Sequence, residues 1–328
     1  MSNDALLTSS IGSFPKPEYL TKARTAFQQG KIGEPELKAV EERATKETIA
    51  MQEELGMDIL VDGEMYRGDM ATYFAENTDG FAISGLVRSY GNRYYRKPIL
   101  TGPVRFRGPI TVDWWKWAQS LTTKPMKAII TGPYTMMDWS FDEHYSSRRE
   151  ACLDLARALH EEVRALADAG AKYIQIDEPA LSVRVDELDT AIDAMAIVTA
   201  GIKATTLTHI CYGTFEQIYP RMLDLAVDEY DLAMANTGFA LVDHFAKNPF
   251  TKILGLGVFD VHTHRLESVD EMRAGIEKTL QYLPPDRIRV VPDCGLKTRT
   301  WDEARAKCAN MVQAAKQARE KLAGAGVR

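Results

Sequence analysis

The sequence predicts an α/β protein of the (β/α)8 TIM-barrel class with an insertion after strand 2, and three observations lead there. Short apolar runs alternate with longer amphipathic stretches through most of the chain, the pattern of repeated strand–helix units around a parallel sheet. Eight such runs can be counted, the number that closes a barrel. No Gly-x-Gly-x-x-Gly follows the first run, so a doubly wound dinucleotide fold lacks its phosphate-binding turn.

Taken in order, the first strand (6–13) ends in Ser9-Ser10-Ile11-Gly12-Ser13 and the second (59–63) runs into Glu64. Residues 78–109, rich in Gly, Arg and Tyr, break the alternation and read as an insertion of the kind that caps active sites. The third strand spans 126–131. A helix over 148–169 follows, with Ala151, Leu155, Leu159 and Val163 at four-residue spacing. The fourth strand (173–176) leads into Asp177-Glu178-Pro179, and the Thr-rich fifth (204–208) leads into His209 and Cys211. The sixth (231–234) precedes Asn236; the seventh (252–258) leads to Asp260-Val261-His262-Thr263-His264; the eighth (288–292) leads to Asp293-Cys294-Gly295. A helix over 302–322 closes the fold, and 323–328 should fray. With no Pro- or Ser-rich linker and no fixed-period repeat, residues 1–328 read as a single catalytic barrel domain.

At 328 residues, 45% hydrophobic and 26% charged, the chain can bury a large core. Its 40 basic and 46 acidic residues are dispersed and give a net charge of −6, which argues against nucleic acid as a partner. There is no signal segment and no run long enough to cross a bilayer, so the expectation is a cytoplasmic protein without a membrane partner. The four cysteines are too scattered for a disulfide framework. Cys152 and Cys308 fall in helical patterns and read as residues without chemistry.

Polar side chains collect at the C-terminal strand ends, where barrels of this type place their chemistry. His209 and Cys211, at i and i+2, share one side of a strand. Cys294 ends a distant β-branched run, so the tight local pairs of a zinc finger are missing. Nitrogen and sulfur ligands drawn from separate strands suit a catalytic zinc with a position left for substrate. Taken singly, the same residues also read as buried cysteines and a hydrogen-bonded core histidine, and a single strand-end carboxylate as a salt bridge to a neighbouring loop. Several converging at one rim argue for a site.

These residues lie in segments that closely resemble the catalytic domain of the cobalamin-independent methionine synthase family. The segments are IGSFPKP (11–17), DGEMYRGDM (62–70), RSYGNRYYRKPI (88–99), TGPYTMMDWSF (131–141), IQIDEPAL (174–181), HICYGTF (209–215), GLGVFDVH (255–262) and PDCGLKTR (292–299). They run in the family's order along almost the whole chain. The resemblance implies a (β/α)8 barrel in which zinc activates the thiol of homocysteine for methyl transfer, giving methionine. His209, Cys211 and Cys294 match three of the family's metal ligands. Ile11 and Ser13 match the segment that holds the amino-acid carboxylate, and Glu64 and Asp177 match the acids that bind its ammonium group. His262 matches the proton donor; Trp139, Arg93 and Tyr94 fall at methyl-donor contacts. His264 has no counterpart and reads as a surface residue or one that only supports the groups around the metal.

Two departures from the family pattern shape the expectation for the donor. Asn236 stands where the family's fourth ligand is Glu, and an amide oxygen is a poor zinc ligand beside thiolates; Glu229 lies nearby but precedes the strand. A zinc with one fewer anionic ligand is a stronger Lewis acid and its thiolate a weaker nucleophile. The chain also begins directly at the catalytic barrel, as in a short form lacking the family's N-terminal barrel, and a donor-contact acid is replaced around Ser182-Val183. The expected donor is therefore a methylcorrinoid, free or on a corrinoid protein, with methyltetrahydrofolate second. Competing readings are a zinc alkyltransferase for another thiol such as coenzyme M, against which Glu64 and Asp177 would repel the sulfonate, and a non-catalytic methionine-binding or regulatory barrel.

Overall fold

The computed structural model describes residues 5–88, 94–211 and 215–325. Along the chain lie β1 (Leu7–Thr8), α1 (Glu18–Gln28), α2 (Glu34–Leu55), α3 (Met70–Glu76), β2 (Thr78–Arg88), β3 (Tyr94–Phe106), α4 (Val112–Gln119), β4 (Ala128–Thr131), α5 (Pro133–Asp138) and β5 (Phe141–Asp142). There follow α6 (Arg148–Asp168), β6 (Tyr173–Asp177), α7 (Leu188–Val198), β7 (Thr205–Ile210), β8 (Glu229–Leu232), β9 (Ile253–Gly257), α8 (Val269–Thr279), β10 (Ile288–Val291) and α9 (Trp301–Ala325).

Seven strands form one sheet in the order β1-β10-β9-β8-β7-β6-β4. Residues 59 and 60 supply the eighth position, because Ile59 bridges Ser9 and Leu60 bridges Met126, both in parallel. The result is the (β/α)8 barrel that the alternation predicts. The second position is only two bridges long for a local reason. Both backbone groups of Val61 are taken by the buried amide of Gln52 on α2, whose Nε2 donates to the Val61 carbonyl at 2.7 Å and whose Oε1 accepts from the Val61 N–H at 3.0 Å. A side chain here does the work of a neighbouring strand.

The sixth run begins earlier than its apolarity suggests, at Glu229, which reads as loop because it is charged yet is only 4% exposed. The larger difference is the insertion. It holds regular structure, an antiparallel pair of β2 with β3, paired from Thr78–Phe106 to Arg88–Tyr94, and β5 adds a parallel third strand. Pro98 and Pro103 lie within β3, although proline cannot donate to a ladder. The register shifts between Asp79 and Phe81, and there Gly80 has φ +95° with its Cβ direction 2.6 Å from the Pro103 carbonyl oxygen. Only glycine fits that close crossing.

Two compact units can be distinguished, one of residues 1–66, 118–126 and 231–328 and the other of 67–117 and 127–230. In the second, α6 buries Ala151, Leu155, Leu159 and Val163, the face its spacing predicts. Its buried Glu162 accepts from the N–H groups of Ile110 and Thr111 and from the Thr111 hydroxyl, fixing the chain ahead of α4. In the first unit, α9 buries Ala304, Cys308, Met311, Ala314, Ala315 and Ala318. Burial pushes the thiols of Cys152 and Cys308 up, the latter to about 12, so both stay protonated and inert, as their helical positions suggested. No helix of the described residues is long and apolar enough to cross a membrane.

Gly255 on β9 has no room for a methyl group, since a Cβ would lie 1.8 Å from Asp231 Oδ1 and 3.0 Å from the Asp231 Cα. Urea unfolding of Gly255→Ala should show a loss of about 1–3 kcal/mol from overpacking. Gly324→Ala, which meets nothing within 4 Å, should show no loss.

Candidate metal centre

Strand β7 delivers His209, and the next turn of chain delivers Cys211; both are buried. Their backbones are held by the segment that follows β6. The Glu178 N–H donates to the His209 carbonyl at 3.0 Å, and Ser182 Oγ lies 2.9 Å from the Cys211 carbonyl it donates to. The family resemblance implied a replaced donor-contact acid around Ser182-Val183; the Ser182 hydroxyl instead fixes the backbone of Cys211. Nothing in the local sequence announced that role.

Cys294 follows β10 and the buried Asp293. The Asp293 carboxylate accepts three backbone N–H groups, from Met234 (2.9 Å), Ala235 (2.9 Å) and Asn236 (3.0 Å), and so clamps the turn after β8. Gly257 leaves the space for it: a Cβ there would lie 2.2 Å from Asp293 Oδ1. Burial lifts the Asp293 carboxyl to about 7 in spite of the three donors. Asn236, at the position of the family's fourth ligand, contributes its N–H to this clamp while the residue itself is exposed.

One nitrogen of His209 and the sulfurs of Cys211 and Cys294 lie within 4.8 Å of one another. Ligands about 2.0–2.3 Å from a tetrahedral zinc are separated by less than this limit, and two thiolates with an imidazole form a donor set suited to zinc. The residues therefore fit the metal. Glu229, at the start of β8, is not one of this cluster.

At the end of β1, Ile11 and Ser13 are buried, and the segment is stitched by Leu296 N–H to the Ser13 carbonyl (2.7 Å) and Phe14 N–H to the Gly63 carbonyl (3.2 Å). Glu64 is a non-glycine residue with φ +55°, directly after Gly63 at φ +73°. This left-handed pair is held by Asp62 Oδ1, which accepts the Glu64 N–H at 2.8 Å, and by Lys16 Nζ on the carbonyls of Gly63 (2.9 Å) and Glu64 (2.6 Å). A strained side chain fixed this way is a mark of functional sites. Asp177 is buried at the end of β6, where Gln175 Nε2 donates to its Oδ1 at 2.6 Å.

Trp139 is half-buried and caps the C-terminus of α5. The N-terminus of that helix is fixed by Glu178, which accepts from Tyr134 N–H (3.0 Å), Thr135 N–H (2.7 Å) and Thr135 Oγ1 (2.7 Å). Burial raises the Glu178 carboxyl to about 7 against these donors. Tyr94 opens β3 and is 63% exposed, whereas Arg93 lies outside the described residues. His262 is exposed, with its N–H on Asp260 Oδ1 at 2.8 Å. His264 pairs with Glu303 at 2.6 Å, a surface role in keeping with its lack of a family counterpart.

A family model described as the catalytic domain of cobalamin-independent synthase matches residues 6–317. The chain belongs to the cobalamin-independent methionine synthase family. It is 42% identical over 330 residues to a 5-methyltetrahydropteroyltriglutamate–homocysteine methyltransferase of Bacillus licheniformis, covering 97% of this chain and 43% of that one. A methionine synthase of Sulfolobus acidocaldarius is 36% identical over 318 residues, covering 97% and 93%. Among solved structures, a B12-independent methionine synthase from Shewanella sp. W3-18-1 in complex with selenomethionine superposes with a TM-score of 0.84 at 26% identity, covering 98% and 99%. The chain thus spans less than half the length of several curated relatives it matches and nearly the full length of the Sulfolobus one.

These findings correct the expected donor. A methylcorrinoid, and with it a corrinoid-protein partner, does not agree with a family defined as cobalamin-independent whose relatives are named for a methylated pteroylglutamate. The error lay in reading donor identity from coordination charge, from the expected short form and from a replaced contact acid. Ligand charge tunes the acceptor thiolate, whereas the donor is selected by surfaces elsewhere in the site.

Beside α5, Glu187 takes hydrogen bonds from Tyr134 Oη (2.6 Å) and from Arg148 (2.8 Å), which also reaches Asp138 (2.6 Å). Arg148 holds the Glu187 carboxyl down at about 2, below its ordinary 4.5. Because the folded value is the lower one, this stabilisation is complete above pH 4.5 and disappears as the pH falls toward 2. Glu187→Gln should accordingly be less stable than wild type at pH 7, and the unfolding curves of the two proteins should converge on acidification toward pH 2.

Proposed function

We propose that this chain is a zinc-dependent methyltransferase that forms methionine from homocysteine with a methyltetrahydropteroylglutamate as donor. The observation that carries the reading is the convergence of His209, Cys211 and Cys294 on one point. Bound zinc would convert the homocysteine thiol, with an ordinary pKa of about 8.5, into a thiolate at neutral pH. His209, Cys211 and Cys294 would hold the metal, and the substrate sulfur would take the remaining position.

The chain's own residues do the positioning. The backbone at Ile11 and Ser13 receives the amino-acid carboxylate. Glu64 and Asp177 receive the ammonium, and this acidic pair selects an amino acid over an anionic thiol such as coenzyme M. Trp139 stacks against the donor's ring, with Arg93 and Tyr94 as further donor contacts. As the methyl carbon passes in line to sulfur, the donor nitrogen gains an electron pair, and His262 gives that nitrogen a proton. Held in this geometry, residues 1–328 act as one catalytic domain.

The decisive experiment measures zinc content and methionine formation together. Wild type should bind one zinc per chain and form methionine from homocysteine and a methyltetrahydropteroylglutamate; no methionine from any polyglutamylated methylfolate at full zinc occupancy would refute the reading. Cys294→Ser should lose zinc and at least about a hundredfold in rate, since a ligand is removed outright. His262→Asn should retain zinc and homocysteine affinity while kcat falls by about 10²–10⁴, the usual contribution of a general acid.

A further inference from the structure

Lys307 occupies the buried face of α9, in line with Ala304, Cys308 and Met311, and is itself fully buried. Lysine is almost never found so deep without partners. Its Nζ donates to the Asp260 carbonyl at 2.9 Å, to the Arg265 carbonyl and to Glu267 Oε2 at 2.6 Å, which uses all three of its protons. Glu267 is 6% exposed, and its other oxygen accepts the Asp260 N–H at 3.2 Å. Asn310, one turn further along α9, donates to the Glu267 carbonyl at 2.8 Å.

All these bonds converge on one stretch of chain, 260–267, and they tie its two ends together. Between the ends sits His262, whose N–H is bonded to Asp260. Other bonds of the loop, Arg265 N–H to Thr263 Oγ1 at 3.1 Å and His264 to Glu303 at 2.6 Å, are solvent-exposed, whereas the buried ammonium and its carboxylate partner tie the two ends from inside. A buried ion pair is a poor source of stability, because desolvation offsets most of the attraction. Its distinctive property is direction: three bonds in fixed positions specify one loop path where an apolar side chain would permit several.

We infer that Lys307 and Glu267 are positioning residues for the proposed transfer: they set the path of the 260–267 loop and so hold His262 at the donor nitrogen. The inference rests on the proposed role of His262. A group displaced by about 1 Å can cost on the order of a hundredfold in rate, so the pair acts on catalysis without touching substrate.

The test compares wild type with Lys307→Met, Glu267→Gln and the double variant Lys307→Met/Glu267→Met, which leaves no unpaired buried charge and should fold with a thermal midpoint near that of wild type. Two readouts are taken on zinc-loaded protein: amide hydrogen exchange across 260–267, and kcat with KM for homocysteine. In the double variant, exchange in the loop should rise at least about tenfold while the rest of the protein is unchanged, with kcat down about 10- to 100-fold and KM within about twofold. Lys307→Arg, which keeps the charge and the donors, should recover part of the rate. Unchanged loop exchange, or faster exchange with wild-type kcat, would overturn the inference. If wild type itself transfers no methyl group, the functional reading fails, and the exchange data alone still decide whether the pair fixes the loop.

Discussion

Two buried carboxylates, Glu178 and Asp293, are the points on which the site residues depend. Each stands at the end of a barrel strand and gathers three donors, most of them backbone N–H groups of a neighbouring turn. A carboxylate in a dry interior is costly unless its lone pairs are filled, so the turns must come to it in one conformation. Burial lifts both groups to about 7 even with those donors in place. The glycines opposite, Gly132 and Gly257, are part of the same arrangement, since a Cβ at either would lie within 2.3 Å of the carboxylate.

From these anchors the candidate metal-binding residues inherit their placement. Glu178 fixes α5 through its side chain and the His209 carbonyl through its own N–H, so one residue aligns the helix capped by Trp139 with the strand that carries His209. Asp293 fixes the turn after β8 and directly precedes Cys294. The three residues that could hold a metal are thus positioned by main-chain bonds to their own or adjacent residues. Lys16 on the Gly63 and Glu64 carbonyls does comparable work for an acidic side chain, keeping Glu64 in a left-handed conformation it would not adopt alone.

Much of the fold was legible because barrel strands are short apolar runs and their helices carry a regular buried stripe, as α6 does. The misreadings have identifiable causes. Residues 78–88 and 94–106 pair as strands although their Gly, Arg and Tyr content reads as an irregular insertion, because the register shifts around Gly80 and Ser84 accommodate Pro98 and Pro103 in the ladder. The start of β8 was missed at Glu229 because a buried acid looks like loop in sequence. For the site, the His-x-Cys pair and the distant Cys were readable as chemistry-bearing residues, while Ser182 was read only as a missing acid. Its bond to the Cys211 carbonyl joins residues 29 apart, a relation that no local pattern encodes.

The amino-acid sequence by itself determined the class of fold, the order of its strand–helix units, the family, and the residue types able to hold zinc, because periodicity and residue chemistry are local properties that survive without coordinates. Tertiary structure alone decided that His209, Cys211 and Cys294 share a point within 4.8 Å, that Asn236 spends its N–H on Asp293, and that a lysine in an apolar helical stripe ends under the His262 loop. The physical reason is that parallel strands bring distant segments to a common end, and which groups then meet depends on burial and register set by the whole chain.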